Sequence, residues 1–151
     1  MGYTTDFRGS FQINKKLDIE THTFLNKLNE TRRMKRKVDP KYGVEGEFFV
    51  EGKGLAGQDR DESIVDYNTP PRTQPGLWCQ WRPGENGKYI EWDEGEKFYK
   101  YIEWIEYIIN KILGPRGYRL NGTVAWRGED FDDNGRITIT DNNVTTNTME
   151  V

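Results

Sequence analysis

The chemistry that this sequence could perform begins with its carboxylates. The candidate catalytic residues are Glu91, Glu96, Glu129 and Asp130, which cluster beside predicted strands rich in tryptophan. Two carboxylic acids with separated pKa values can act as general acid and general base in glycosidic or phosphodiester hydrolysis. Acidic residues at the start of a helix also stabilise the helix dipole, so a structural role accounts for part of the same pattern.

Aromatic and amide side chains indicate a binding cleft. Flat apolar faces beside amide and guanidinium donors are typical of sites that recognise bases, sugars or peptide edges. The candidate ligand-binding residues are Tyr67, Asn68, Arg72, Gln74, Trp78, Gln80, Trp81 and Trp92. Because amides are costly to bury without partners, we expect these side chains to surround a cleft. Recognition of a nucleotide-like small molecule or of a macromolecular partner is therefore the favoured function, with a carboxylate hydrolase as the alternative.

Metal and nucleophile chemistry have less support. The single histidine, His22, and the single cysteine, Cys79, are too few for a zinc site, which needs about four such ligands. His22 faces away from the apolar stripe of a predicted helix, which disfavours covalent catalysis with Cys79. No cofactor is predicted.

One acidic segment has the spacing of a calcium-binding loop. The matching positions are Asp130, Asp132, Asn134, Gly135, Ile137 and Asp141. The flanking residues have the pattern of strands, whereas a calcium loop is normally entered from a helix. We therefore favour the acidic tip of a β-hairpin, with positive φ at Asn134 and Gly135.

Two further motifs are of the kind that can bind phosphate, and each also has a simpler structural explanation. The glycines from Gly52 to Gly57 form a GxGxxG pattern, but no adequate helix follows them, so a flexible turn is favoured over a dinucleotide site. A basic run covers Arg32, Arg33, Lys35, Arg36 and Lys37. It suits a solvated helix end as well as phosphate. Since the net charge is −3, nucleic-acid binding is possible but disfavoured.

The elements that must position these residues follow from periodicity. The 151 residues suit a single domain, residues 1–151. GSFQI at 9–13 alternates like a strand, and an amphipathic helix begins after the N-cap Asp18. Isoleucine and aromatic residues spaced three and four apart predict a second helix over 96–113, which ends at Gly114 and Pro115.

Two hairpins complete the expected fold. They pair residues 77–83 with 88–93 and residues 118–128 with 135–141. The resulting βαββαββ order predicts an α+β fold with a ferredoxin-like antiparallel sheet of about five strands and two helices on one face. Between the first helix and the first hairpin lies a long ordered loop, residues 33–76, in which only GEFFVEG at 46–52 resembles a strand.

The five tryptophans exceed what a small two-layer core should hide. We therefore expect some of them on the uncovered face of the sheet, with residues 58–76 folded across it. No apolar run is long enough to cross a membrane, and MGYTTDFRGS lacks the pattern of a secretory signal. A soluble, cytoplasmic protein without a membrane partner is expected.

Five segments resemble an uncharacterised family of short proteins from bacteria and their phages. They are GYTTDF at 2–7, GQD at 57–59, DYNTPPRTQPGLWCQW at 66–81, EKFYKYIEWIEYII at 96–109 and LNGTVAWRGEDFDDNGRI at 120–137. The resemblance covers nearly the whole chain and implies one intact domain in a phage or host setting. No activity is associated with the family, so the resemblance implies no mechanism. The resemblance also weakens the calcium-loop interpretation of residues 130–141.

Overall fold

The largest element of the protein is an antiparallel sheet. A computed structural model describes residues 2–50 and 61–148. The strands are β1 (Asp6–Ile13), β2 (Lys35–Arg36), β3 (Ile64–Asp66), β4 (Trp81–Pro83), β5 (Tyr89–Trp92), β6 (Leu120–Arg127), β7 (Asn134–Thr140) and β8 (Asn143–Thr148). The helices are α1 (Ile19–Glu30) and α2 (Tyr101–Ile108). Short 3₁₀ turns cover Pro40–Tyr42, Val44–Gly46 and Gly114–Arg116, and a π-helical turn, Ile109–Leu113, extends α2.

The main sheet has six strands in the order β4-β5-β1-β6-β7-β8, and every neighbouring pair is antiparallel. The α+β class with a large antiparallel sheet and two helices is thus confirmed, but the predicted number of about five strands is wrong. The additional strand is β8, which pairs with β7 through a tight turn. Strands β2 and β3 form a separate two-stranded sheet within the long connecting segment.

One face of the main sheet carries the core. In β1, Phe7, Phe11 and Ile13 are buried while the alternate residues Arg8 and Gln12 are exposed. The same alternation in β6 and β7 places Val124 and Ile137 on the buried face, where both are 0% exposed. Side chains of α1 and α2 belong to this single core cluster, so the helices cover the apolar face.

The expectation that tryptophans line the uncovered face is wrong. Trp81 is 1% exposed and Trp126 is 9% exposed, and Trp92 packs against the same core. The register explains this arrangement, because Trp81 lies opposite Trp92 and the buried Ile90 lies two positions before Trp92 on the same face. The opposite face of the sheet, here called the open face, is polar, and Arg8, Gln12, Thr123 and Arg136 are exposed on it.

Helix α1 begins where its cap predicts. The amide of Thr21 donates to Asp18 Oδ1 at 2.7 Å, and the Tyr118 hydroxyl donates to Asp18 Oδ2 at 3.0 Å. The bonds from Thr21 and Tyr118 lower the pKa of Asp18. Leu25 and Leu28 then face the core, as the amphipathic pattern predicts.

Helix α2 is shorter than predicted. The apolar period extends over 96–113, yet the helix starts at Tyr101. Glu94, Lys97 and Lys100 adopt left-handed conformations, with φ of 65°, 58° and 60°, and a residue in this region cannot continue a right-handed helix. Residues 94–100 therefore form an irregular loop, called here the left-handed loop.

The part of the long segment around Gln74 packs against α2, whereas the sequence predicts that residues 58–76 cross the uncovered face of the sheet. The side-chain Nε2 of Gln74 donates to the Tyr107 hydroxyl at 3.2 Å, which places residues around Gln74 against this helix. Residues 46–50 of the predicted strand GEFFVEG form turns and irregular backbone, so that strand is wrong there. Residues 51 and 52, the GxGxxG pattern at Gly52–Gly57 and residues 58–60 lie outside the described residues.

The basic run is not the solvated helix end that the sequence suggested. Arg33 and Arg36 are only 2% and 3% exposed. Arg36 donates to Ser63 Oγ at 2.9 Å and stacks on Phe49, while Arg32 stacks on the ring of Tyr67 at 4.3 Å. These contacts therefore fold the long segment back on itself beside the end of α1.

The acidic segment after β6 forms a hairpin tip, as favoured. The amide of Gly128 donates to the carbonyl of Asp133 at 2.7 Å, which closes the tip. Asn134 and Gly135 do not have positive φ, contrary to the prediction, because they already belong to the extended strand β7. Since β7 separates Asp130 from Asp141, the calcium-loop spacing does not form a loop, and no group of three potential metal-binding His, Cys, Asp or Glu side chains occurs within residues 2–50 and 61–148.

No helix in the described part of the chain combines the length and apolar character needed to span a bilayer.

Candidate functional site

A cleft of about 580 Å³ lies between the left-handed loop and the proline-containing segment that precedes β4. The side chains and backbone around it belong to Asn68, Pro70, Pro75, Gly76, Leu77, Trp78, Gln80, Glu96, Lys97, Tyr99 and Lys100. This volume lies within the range of small-molecule sites. We call it the Trp78 cleft.

The proline-containing wall of the cleft is held in place by the basic run. The backbone amide of Arg33 donates to the Leu77 carbonyl at 2.8 Å, and that of Lys35 donates to the Thr69 carbonyl at 2.9 Å. The guanidinium of Arg32 donates to the Tyr67 carbonyl at 3.2 Å. These bonds fix the backbone on both sides of Pro70 and Pro75.

Gln80 holds the opposite wall. Its Nε2 donates to the Glu96 carbonyl at 2.7 Å, and its Oε1 accepts from Trp92 Nε1 at 3.2 Å. The amide of Gly95 donates to Asp93 Oδ1 at 2.7 Å, which stabilises the turn at the start of the left-handed loop. Both oxygen and nitrogen of the Gln80 amide are thus satisfied within the protein.

The left-handed loop also contacts the N-terminal segment. The amide of Tyr3 donates to the Tyr99 hydroxyl at 3.0 Å, while the Tyr3 hydroxyl donates to Asp133 Oδ2 at 2.7 Å. Tyr3 therefore connects one wall of the Trp78 cleft with the acidic hairpin tip.

The cleft combines apolar surface with positive charge. Pro70, Pro75 and Leu77 give it apolar walls, and Tyr99 keeps 52% of its surface exposed. Lys97 and Lys100 supply two ammonium groups at the same site, against one carboxylate from Glu96. Lys100 also contacts Glu103 at 3.8 Å, in an exposed pair that is of little energetic value. A ligand with a planar apolar part and a negative charge would complement this arrangement.

A buried polar network lies behind the proline-containing wall. Gln74 donates to the Glu47 carbonyl at 2.6 Å and accepts from Arg33 Nε at 3.3 Å. Tyr107 donates to Glu47 Oε2 at 2.9 Å, and Thr73 also donates to that oxygen. Burial raises the pKa of the Tyr107 hydroxyl, whereas loss of solvation lowers the pKa of Arg33 to about 10. We interpret this network as the support of the wall, because its groups are buried away from the cleft.

The structure divides the eight predicted ligand-binding residues into three groups. Asn68, Trp78 and Gln80 line the cleft. Gln74 belongs to the buried network, Tyr67 stacks against Arg32, and the backbone amide of Arg72 donates to Glu45 Oε1 at 2.9 Å. Trp81 lies in the core, where its Nε1 donates to the Tyr101 carbonyl at 2.9 Å, and the partly buried Trp92 packs against that core.

Sequence reasoning missed Lys97, Tyr99 and Lys100 as residues of the cleft. Their spacing suits the start of helix α2, and nothing in that pattern indicates left-handed backbone at non-glycine residues. The nearest sequence signal is Gly95, which directly precedes the predicted helix 96–113 and is typical of irregular backbone.

The predicted catalytic carboxylates occupy different surroundings. Glu96 lines the cleft, whereas Glu91 pairs with Arg82 at 3.1 Å beside side chains of α1. Glu129 accepts from the backbone amide of Thr4, and Asp130 is exposed at the hairpin tip. Of these four carboxylates, Glu96 is the one that lines the cleft, so the structure does not place a pair of them there.

Comparison with known proteins leaves the cleft geometry as the basis for assigning a function. No family model matches the sequence, and no curated protein or solved structure is significantly similar to it. The cleft is therefore interpreted from its own residues.

Proposed function

We propose that this protein is a binding domain whose Trp78 cleft recognises a small molecule with a planar apolar part and a negatively charged group, as in a nucleotide. The observation that carries this proposal is the left-handed loop. Its residues have a helical sequence pattern, yet they leave the helix and bring Glu96, Lys97, Tyr99 and Lys100 to the cleft.

The backbone of this loop supports a functional role. A non-glycine residue in the left-handed region costs about 1–3 kcal/mol and persists only where its surroundings hold it. Such residues cluster at ligand-binding sites. Here three of them, Glu94, Lys97 and Lys100, occur within seven residues. The bond from Gln80 to the Glu96 carbonyl holds the loop in place.

Each side of the cleft has a distinct role in the proposed recognition. The faces of Trp78 and Tyr99 would stack on the planar part of the ligand. The Asn68 amide supplies a donor and an acceptor. Lys97 and Lys100 would attract the negatively charged group. We expect binding to cause little conformational change, because hydrogen bonds already fix both walls of the cleft.

The experiment begins with native mass spectrometry of the purified protein, followed by calorimetric titration with a panel of nucleoside monophosphates. The planar anion 8-anilinonaphthalene-1-sulfonate serves as a general probe of the cleft. Trp78→Ala and Tyr99→Ala should each weaken binding of the responding compound at least about fivefold, since each removes one stacking face. Lys100→Gln should weaken it less and should reduce its dependence on salt.

Ile19→Ala is the control, because Ile19 is an 86% exposed apolar residue outside the cleft. It should bind the probe as the unchanged protein does. Normal binding by both Trp78→Ala and Tyr99→Ala, with circular dichroism unchanged, would show that the cleft is not the site.

The hydrolase alternative is tested with the same ligand. Glu96→Gln keeps the size of the side chain and removes the only predicted catalytic carboxylate in the cleft. Retained binding with lost turnover would favour hydrolysis over simple recognition.

We also infer that the inner sheet follows the ferredoxin-like order expected from the sequence. Its support is the order β4-β5-β1-β6, in which α1 follows β1 and α2 follows β5. Strands β7 and β8 then extend this arrangement beyond β6.

A further inference from the structure

A second concavity, of about 430 Å³, lies on the open face of the main sheet. Three arginines line it, Arg8 from β1, Arg127 from β6 and Arg136 from β7. The register places Arg8 opposite Ala125 and Ala125 opposite Arg136. Arg127 lies two positions after Ala125 and therefore on the same face. We call this group the arginine triad.

The small side chain of Ala125 creates the space between these arginines. Neighbouring strands are about 4.8 Å apart, so Arg8 and Arg136 start roughly 10 Å from each other, on either side of Ala125. Arginine side chains are long enough to approach one another across that distance. The three guanidinium groups can therefore converge on one ligand above the sheet.

The triad has no ion-pair partner among the residues that the structure describes. Two nearby carboxylates, those of Asp133 and Glu129, already accept hydrogen bonds from other groups. Asp133 accepts from Tyr3 and from Trp126 Nε1, and Glu129 accepts from Thr4. Asp6 lines the same concavity, in register with Arg127, but makes no ion pair with it, so three guanidinium groups face one carboxylate there. Asp130 and Asp132 are exposed at the hairpin tip. Three neighbouring cations without a partner repel one another, and an anionic ligand would relieve this repulsion.

The surroundings of the triad favour one class of anion. Phe131 lines the same concavity and is 77% exposed, which leaves its ring free to stack on a planar group. The next rows of the open face carry hydroxyl and amide side chains, where Ser10 lies opposite Thr123 and Thr123 opposite Thr138. Guanidinium groups bind phosphate through paired hydrogen bonds. Arginines beside an exposed aromatic ring on a flat polar sheet are the features with which proteins hold unpaired nucleotides.

We propose that the open face binds single-stranded nucleic acid, with its phosphates on the arginine triad and one base on Phe131. This surface is separate from the Trp78 cleft, and the inference does not depend on the function proposed for that cleft. It also differs from the basic run at residues 32–37, in which Arg33 and Arg36 are buried.

The test is fluorescence anisotropy with labelled single-stranded oligonucleotides of eight thymidines or eight uridines, over a series of salt concentrations. If three phosphates are neutralised, the logarithm of the affinity should fall with the logarithm of the salt concentration with a slope of about −2. Arg8→Gln, Arg127→Gln and Arg136→Gln should each weaken binding about tenfold and should reduce the slope by about 0.7.

Phe131→Ala should weaken binding at least about fivefold without changing the salt slope, because it removes stacking and no charge. Arg119→Gln is the matched control, since Arg119 is an exposed arginine that lies outside the concavity, just before the opposite end of β6. It should change the affinity less than twofold. Circular dichroism of each variant checks the fold.

Several results would overturn the proposal. Absence of binding to both oligonucleotides at low salt is one of them. An equal loss of affinity in Arg119→Gln would show unspecific attraction. Stronger binding of the corresponding duplex or of polyglutamate would assign the surface to double-stranded nucleic acid or to an acidic protein. If inorganic phosphate displaces the oligonucleotide when both supply the same concentration of phosphate groups, the surface is a simple anion site.

Discussion

At the scale of single residues, the unusual feature is the amount of polar chemistry in the interior. Arg33 is 2% exposed and donates through Nη2 to the Glu47 carbonyl at 2.7 Å, while its Nη1 has no hydrogen-bond partner among the described groups. Buried polar groups usually have partners, and those that form a network fix one arrangement of the chain. This network fixes the wall of the Trp78 cleft.

The hydroxyl of Tyr107 gives a direct measure of that network. Tyr107→Phe removes the group that bonds both Glu47 and Gln74, so it should lower the free energy of unfolding by about 1–3 kcal/mol. Tyr101→Phe is the control, because no hydrogen bond to the Tyr101 hydroxyl occurs within the described chain, and it should cost less than about 0.5 kcal/mol. Urea unfolding measures both. Equal effects would show that the network does not stabilise the fold.

Cys79 should be unreactive in the native protein. It is 0% exposed, and burial raises the pKa of its thiol to about 12, so almost no thiolate exists at pH 8. Ellman's reagent should therefore modify Cys79 slowly at pH 8 and rapidly in concentrated urea. Rapid modification of the native protein would mean that the segment just before β4 opens readily.

At the scale of elements, left-handed residues decide where the regular structure ends. Asp141 and Asn142, with φ of 45° and 69°, form the turn between β7 and β8. Two-residue hairpin turns of this kind need positive φ at both positions, which asparagine and aspartate tolerate best. The Asn142 side chain also accepts from the Leu120 amide at 2.7 Å and donates to the Tyr118 carbonyl at 2.9 Å.

Asn142 should therefore stabilise the fold in two separable ways. Asn142→Ala loses the side-chain bonds and the tolerance of positive φ, and should cost about 1–3 kcal/mol. Asn142→Gly keeps the backbone freedom and should cost less. The neighbouring Asn143→Ala, at an exposed position, should change stability by less than about 0.5 kcal/mol. Thermal and urea unfolding of the three variants rank these costs.

Acid should loosen the long segment between α1 and β4. Bonds to backbone amides at Arg72 and Asn68 lower the pKa of Glu45 and Asp66, and bonds from Ser63 lower that of Asp61. The unfolded chain therefore binds protons at a higher pH than the folded chain does. The stability that these carboxylates contribute is complete above their unfolded pKa values, 4.5 for glutamate and 3.8 for aspartate, and is lost as the pH falls through the lower folded values.

Hydrogen exchange measured by mass spectrometry at pH 6 and at pH 3 tests this prediction. Exchange in residues 61–76, corrected for its intrinsic pH dependence, should accelerate at pH 3 more than exchange in β6. Asp66→Asn should produce part of the acceleration already at pH 6, whereas Asp132→Asn, at the exposed hairpin tip, should not. Unchanged protection of this segment at pH 3 would contradict the role of these carboxylates.

The elements that the sequence predicted are those with a strict period and a recognisable cap. Alternation located β1, β6 and β7, and Asp18 marked the start of α1. The predictions are wrong where left-handed backbone interrupts a helical sequence period, as at Lys97 and Lys100. They are also wrong where one sequence signal fits two different structures. Asp141 and Asn142 are a hairpin turn signal, but Asp141 also fits the end of the predicted strand 135–141 and the last position of the calcium-loop spacing, so the sequence pattern does not predict β8.

The candidate site was predictable only in part for the same reason. Asn68, Trp78 and Gln80 lie near one another in sequence and meet in the cleft. Whether Trp81 and Trp92 face the core depends on which face of the sheet each strand position occupies. That face follows from the pairing register and from the buried Ile90, and composition alone does not give it. The arginine triad comes from three strands and depends on the full sheet order.

At the scale of the whole molecule, one core joins the main sheet and both helices. The cluster includes Phe11 from β1, Leu28 from α1, Ile108 from α2 and Ile139 from β7. A single shared core favours cooperative unfolding. The uncovered face of the sheet and the Trp78 cleft then present two separate surfaces on one rigid support.

Unfolding at neutral pH should therefore be a single transition. Tryptophan fluorescence and far-ultraviolet circular dichroism should give the same urea midpoint, because Trp81 and Trp104 belong to the cluster that contains the sheet. A fluorescence transition that precedes the loss of secondary structure would indicate that the helices separate from the sheet first.

The position of β1 has a consequence for biosynthesis. This strand lies between β5 and β6, with Phe11 opposite both Ile90 and Gly122, yet it precedes both neighbours in the chain. A ribosome adds about 5–20 residues each second, so Phe7 and Phe11 emerge several seconds before the strand that completes their pairing. Throughout that interval the nascent chain exposes a strand with two open edges, which is the kind of segment that chaperones bind.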